Sequence, residues 1–179
     1  MQKRIPILAC LTLLASALAS SVVGQSDPDP NGVGAAAFAQ NMALDHLYDI
    51  EAGVLASQRG TATDIKKMGA VLVRDAASDD RQLLLAVRGT YPRINLPGAL
   101  DKFHQQKIDR LRTLQGRDFD REFIMQQMEV QSATVANLSS YSRLGMHANL
   151  KAYAATTLPD AQQQLKNASI LNAGPLAMN

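Results

Sequence analysis

The sequence predicts an all-α fold, an antiparallel bundle of four to five helices that follows an N-terminal export signal. Three observations carry this. Apolar residues recur at three- and four-residue spacing through successive stretches, and no stretch alternates with the period of two that marks a half-buried strand. Glycine or proline closes most of these stretches. The connections are mostly short, which makes consecutive helices antiparallel neighbours.

The N-terminus reads as a secretory signal peptide. Lys3 and Arg4 form a basic n-region, Ile5 to Leu18 is an apolar run, and small residues follow at Ala17-Leu18-Ala19 and Val22-Val23-Gly24. Residues 1–24 are therefore the expected signal, with cleavage after Ala19 or after Gly24. The run is short for a membrane span, and no stop-transfer pattern follows it. Ile7-Leu8-Ala9-Cys10 has the letters of a lipoprotein cleavage box, but cleavage before Cys10 would leave almost no apolar run upstream. The expected location is exported, periplasmic or secreted.

Cys10 is the only cysteine, so the processed chain can form no disulfide and offers no thiolate. The signal carries two of the 18 basic residues and none of the 16 acidic ones, so the processed chain nets to zero charge. Four Tyr, four Phe and no Trp leave little for base stacking, and nothing resembles a nucleic-acid footprint. No later apolar run is long enough to cross a membrane.

Gln25 to Gly34 (QSDPDPNGVG) is a linker whose Pro, Asp, Asn and Gly disfavour helix. The domain then spans residues 35–171. The first helix runs from Ala35 to Arg59 and stops at Gly60, with Phe38 and Met42 on its buried side. Leu44, Leu47, Val54 and Gln58 recur at helical spacing, and Glu51 falls on their stripe. Glu51 is therefore expected to face inward, where a carboxylate needs a partner, a proton or a metal.

Thr61 and Thr63 are candidate N-caps for a second helix with the stripe Ile65, Met68, Leu72, Ala76, Leu83 and Val87, ended by Gly89. Thr90 to Pro97 holds two prolines and reads as a connection. A third helix fits Gly98 to Gln115, with Leu100, Phe103, Lys107, Leu111 and Leu114 on a mixed face. After Gly116, Asp118 is a plausible N-cap for a fourth helix. Its stripe is Ile124, Met128, Gln131, Val135, Leu138 and Ser142, and it stops at Gly145. The last helix begins near His147 and carries Leu150, Tyr153, Thr157, Ala161, Gln164, Ala168 and Leu171 on one side. Pro159 removes a backbone donor inside it and should kink it or start a new segment. Residues 172–179 read as a frayed tail.

Four segments of this pattern resemble DUF4142, a bacterial family of exported proteins of unknown function assigned to the ferritin-like superfamily. DIEAGVLASQRG (49–60) resembles the opening helix, and IKKMGAVLVRDAASDDRQL (65–83) the helix that normally holds an Asp-His pair. LQGRDFDREFIMQQMEVQ (114–131) resembles the Gly-x-x-Phe-Asp-x-x-Tyr segment. LKAYAATTLPDAQQQL (150–165) resembles the closing helix with its Leu-Pro. The likeness covers about Phe38 to Leu171 and implies a ferritin-like bundle. The chain departs from the pattern where ligands would lie. Ala76, Gln131 and Gln164 stand at the usual His positions, Phe123 stands at the usual Tyr, and only Glu51 is left of the potential ligands.

A ferritin-like metal centre draws carboxylates and imidazoles from several helices, and neutral amides are poor ligands for a transition metal. The expected arrangement is thus a buried polar cluster of Glu51, Gln131 and Gln164, with no cofactor. The alternative is a metal-binding redox or storage protein with a transition metal at a rebuilt site around Glu51, using Asp79 or Asp80 from the face that holds Ala76. A small-molecule carrier using space opened at Ala76 is a third reading.

His46, His104 and His147 share no short metal-ligand spacing and are expected in ordinary packing or surface roles. His147, near a helix start, is disfavoured as a cation. There is no Gly-x-Ser-x-Gly, no catalytic cysteine and no Gly-rich phosphate loop, and Ser139, Ser140 and Ser142 read as helix-surface polar residues. Lys102, Lys107, Arg110, Arg112, Arg117 and Arg121 form a locally basic stretch that reads as a solvated face. The expected role is a non-catalytic structural or binding protein of the envelope. By family analogy it could extend to stress tolerance.

Overall fold

A computed structural model describes residues 34–90 and 92–174. The expected signal, nearly all of the linker and residues 175–179 of the expected tail lie outside the described residues. Five α-helices follow in order: α1 (Ala35–Arg59), α2 (Thr63–Ala86), α3 (Lys102–Thr113), α4 (Gly116–Leu144) and α5 (Ala148–Ala173). Among the described residues there is no strand. The fold is the expected all-α bundle.

The chain folds as two helical hairpins. α1 packs mainly on α2 and α4 mainly on α5, while α3 straps across α1 and α4. The α1–α2 contact is close because glycines face each other. A Cβ added to Gly69 would sit 2.5 Å from the Gly53 carbonyl oxygen and 2.8 Å from the Ala56 Cβ. Ala39, Ala43, Ala52 and Ala56 are also buried along α1, so small side chains rather than large ones line this seam.

Packing of small residues shifts the inward face of α1. Met42, Asp45, His46, Asp49, Ala52, Gly53 and Ala56 are buried, Val54 is 38% exposed, and Leu44 and Leu47 are half-buried. The stripe read through Leu44, Leu47, Glu51 and Val54 is therefore one face off. The α2 stripe lies inward as expected, with Ile65, Met68, Leu72, Ala76 and Leu83 buried. In α3 the phase is also displaced. His104, Ile108 and Leu111 are buried, and Phe103 is 52% exposed.

Several caps differ from those expected. The N-cap of α2 is Ala62, with no side-chain cap of its own. Asp101 caps α3 by accepting from the His104 backbone N–H at 2.9 Å. α4 starts at Gly116, whose φ of 62° suits glycine, so Asp118 sits in the first turn rather than at the cap. His147 caps α5 and accepts from the Leu150 N–H at 3.4 Å. α5 continues through Pro159 as one helix and reaches Ala173, beyond the expected start of the tail.

Two apolar clusters fill the interior. One unites the start of α1, the end of α2, the end of α4 and the start of α5, where Phe38 stacks on Tyr141 with ring centroids 4.0 Å apart. The other gathers Tyr48, Ile65, Leu72, Ile108, Phe119, Phe123 and Ile124. Between them runs a layer of buried polar side chains.

Candidate functional site

Asp45 and Asp49 stand one turn apart on α1, and both are buried. Two α4 amides hold Asp49. Gln131 donates to one oxygen at 2.8 Å and Gln127 to the other at 3.2 Å. Burial, then the neighbouring Asp45 charge, pushes the Asp49 carboxyl up to about 7, although the two amides oppose the rise. Asp45 accepts from the Thr134 hydroxyl at 2.8 Å and lies 3.3 Å from Nε2 of His104.

The other ring nitrogen of His104 lies 2.7 Å from Asp101, so the imidazole is clasped by two carboxylates. Burial alone would lower its basicity, but the hydrogen bonds to Asp45 and Asp101 outweigh that and raise it.

His46 shares a 3.0 Å hydrogen bond with the Tyr153 hydroxyl through Nε2. Its Nδ1 lies 3.9 Å from Asp80. The contact with His46 holds the Asp80 carboxyl below its usual range. Asp79 behaves oppositely, and burial lifts it to about 6 despite the nearby His46.

Asp45, His46, Asp49, Ala76, Asp79, Gln131, Thr134, Tyr153, Thr157 and Gln164 surround a cavity of about 20 Å³. Four buried atoms have no hydrogen-bond partner there or beside it: His46 Nδ1, Gln127 Oε1, Gln131 Oε1 and Thr157 Oγ1. A cavity this size suits one water molecule with a few polar neighbours. It has no room for an apolar ligand, which removes the carrier reading at Ala76.

The predicted cluster is thus rebuilt around a different acid. Glu51 is not in it: its side chain is 41% exposed and pairs with Arg112 of α3 at 3.1 Å. The cause is the rotated face of α1, which carries Asp49 inward and Glu51 toward the strap. Gln131 does lie in the interior, bonded to Asp49, whereas Gln164 is half-buried with Asp75 as its partner at 3.5 Å. Of the two candidate carboxylates on α2, Asp79 lines the cavity and Asp80 does not. Two of the three histidines take interior packing positions rather than surface ones. His46 and His104 are 6% and 7% exposed and belong to the network. The sequence signal for them was the pair Asp45–Asp49 with His46, lying in phase with Met42, Ala52 and Ala56 rather than with the leucines.

A second polar device lies at the far end of the bundle. Asp120, fully buried, accepts from the backbone N–H groups of Thr61 and Ala62, each at 3.0 Å, and from the Thr61 hydroxyl. A carboxylate from α4 therefore caps α2 across the structure. Arg59 binds the α3–α4 connection there through the carbonyls of Arg112 and Leu114, at 2.9 and 2.8 Å. Thr61 serves this clip and is not an N-cap.

The donor set does not fit a ferritin-like metal centre. Asp49 is engaged by two amides, Asp45 by a hydroxyl and an imidazole, and His46 by Tyr153. Among the described residues no three His, Asp or Glu side chains converge as a metal site. Also among them, no helix is long and apolar enough to cross a membrane.

The class so defined is a two-hairpin helical bundle with a hydrogen-bonded acid–amide–imidazole layer in its core. The chain belongs to DUF4142, a domain of unknown function, whose family model matches residues 21–171. No curated protein and no solved structure matches it.

Proposed function

We propose that this is an exported, non-catalytic bundle with a structural or binding role in the cell envelope. Stress tolerance is the setting that family analogy suggests. The observation that supports this reading is the engagement of the two α1 acids at the centre of the layer. Asp45 and Asp49 spend their oxygens on Thr134, His104, Gln127 and Gln131, around a space for one water. Such a layer fixes how the helices dock and ties both α1 acids into hydrogen bonds between helices.

The test is the metal content of protein purified from its own exported compartment, with thermal melts across added Fe, Mn, Zn and Cu. Sub-stoichiometric metal and unchanged melting temperatures are expected. Stoichiometric metal that disappears in Asp49→Asn would overturn the reading and restore a metal-binding role at this layer.

A further inference from the structure

We propose that the end of the bundle formed by the α4–α5 turn and the α2–α3 connection docks on an anionic phospholipid membrane. The proposal rests on the envelope part of the reading above and is independent of whether the interior binds metal.

The first observation is charge segregation along the bundle. The stretches 35–44, 81–100 and 130–159 contain no acidic residue, yet they hold Arg81, Arg88, Arg93, Arg143 and Lys151. The apolar cluster shared by the start of α1, the end of α2, residues Ile94 and Leu96, the end of α4 and the start of α5 brings these stretches to one end. Gln40 also donates to the Asn95 carbonyl at 3.1 Å. In the rest of the described chain, acidic residues outnumber basic ones.

The second observation is protruding apolar side chains among these cations. Leu144 and Met146 are 75% and 74% exposed at the α4–α5 turn, and Leu84 and Leu85 are 46% and 56% exposed at the end of α2. Arg143 and Arg88 are exposed beside them. Bare leucine and methionine flanked by arginine match the boundary between headgroups and acyl chains. There the apolar tips enter and the guanidinium groups meet lipid phosphate. A second copy of this chain fits poorly, because a symmetric contact would oppose like cations. A nucleic acid would satisfy the arginines but not the protruding leucines.

The chain has no tryptophan, so one introduced indole reports its own surroundings. Met146→Trp is compared with Met125→Trp, an exposed position on α4 roughly 28 Å along the helix axis. The protein is used as purified from its exported compartment, with vesicles of phosphatidylglycerol or of phosphatidylcholine. The expected result is a blue shift for Met146→Trp on phosphatidylglycerol alone, reversed by salt, and none for Met125→Trp. Arg88→Glu and Arg143→Glu should each weaken sedimentation with those vesicles by about fivefold or more, with melting temperatures unchanged. Arg110→Glu on α3 should leave it unchanged.

If both indoles respond alike, binding is not confined to this end of the bundle and the proposal fails. It also fails if neither indole responds, or if reversal at Arg88 and Arg143 leaves binding intact. Because none of these residues touches the polar layer, failure here leaves the metal test standing.

Discussion

Replacing Asp49 by asparagine should stabilise this protein at alkaline pH and flatten its pH dependence. The native carboxyl is raised from 3.8 to about 7, chiefly by burial and then by the charge on Asp45. Its unfolded counterpart titrates near 3.9. Between those values the folded chain binds a proton that the unfolded chain has lost, so stability falls as pH rises. A gap of about three pKa units at 1.36 kcal/mol each makes the ionised, buried Asp49 cost about 4 kcal/mol above pH 7. The bonds from Gln127 and Gln131 are already included in that gap. Asparagine carries no charge, and its amide can donate to an unpartnered oxygen of Gln127 or Gln131 once that amide turns over.

Urea melts of parent and Asp49→Asn at pH 4, 5, 6, 7 and 8 measure the difference directly. The two should agree within about 1 kcal/mol at pH 4. The variant should then be ahead by about 2–4 kcal/mol at pH 8, most of the gain appearing between pH 5 and 7. A variant no more stable than the parent at pH 8, with the same pH slope, would refute the account. Asp49 would then be solvated or paired in a way the structure does not contain.

Asp120→Ala should cost about 3 kcal/mol in a urea melt, because two backbone N–H groups and a hydroxyl lose a charged acceptor. Thr61→Ala should lose only about 1 kcal/mol, since the backbone bonds remain. Gly69→Ala should destabilise by about 1–3 kcal/mol by forcing α1 from α2, and Gly53→Ala should do the same. His104→Gln leaves Asp45 without its imidazole and should cost about 3 kcal/mol at pH 6. Because the folded pKa of His104 is raised, that stabilisation is full below the unfolded value near 6.5 and fades as pH climbs past the folded one. The gap between parent and His104→Gln, followed by melts from pH 5 to 9, should therefore narrow as pH rises.

The helices were legible because their stops are chemical. Gly60 and Gly145 end α1 and α4 where the sequence places them, and the stripe of α2 sits on the core as read. The phase of α1 was not legible from its leucines. When glycines and alanines let two backbones approach, the larger apolar residues move to the flanks, and the face opposite the partner hairpin is taken by Asp45 and Asp49. Glu51 lies two residues after Asp49, far enough round the helix to change an interior acid into a surface ion pair. Phe119-Asp120 stood out as a motif, but the N–H groups that donate to Asp120 lie 58 and 59 residues upstream, and no local pattern announces such a partner.

The buried polar bonds share one property beyond their pairing. Asp49 with Gln127 and Gln131, Asp45 with Thr134, and His46 with Tyr153 all run from the first hairpin to the second. Apolar surfaces alone would let the hairpins slide by a helical turn at little penalty. Here a slip of 5.4 Å would strand two carboxylates and an imidazole in a dry interior. The layer acts as a vernier: each hairpin can form early from its own neighbours, but only one alignment satisfies all these groups together. Folding should accordingly end with a docking step that slows as pH rises through the range in which buried Asp49 loses its proton.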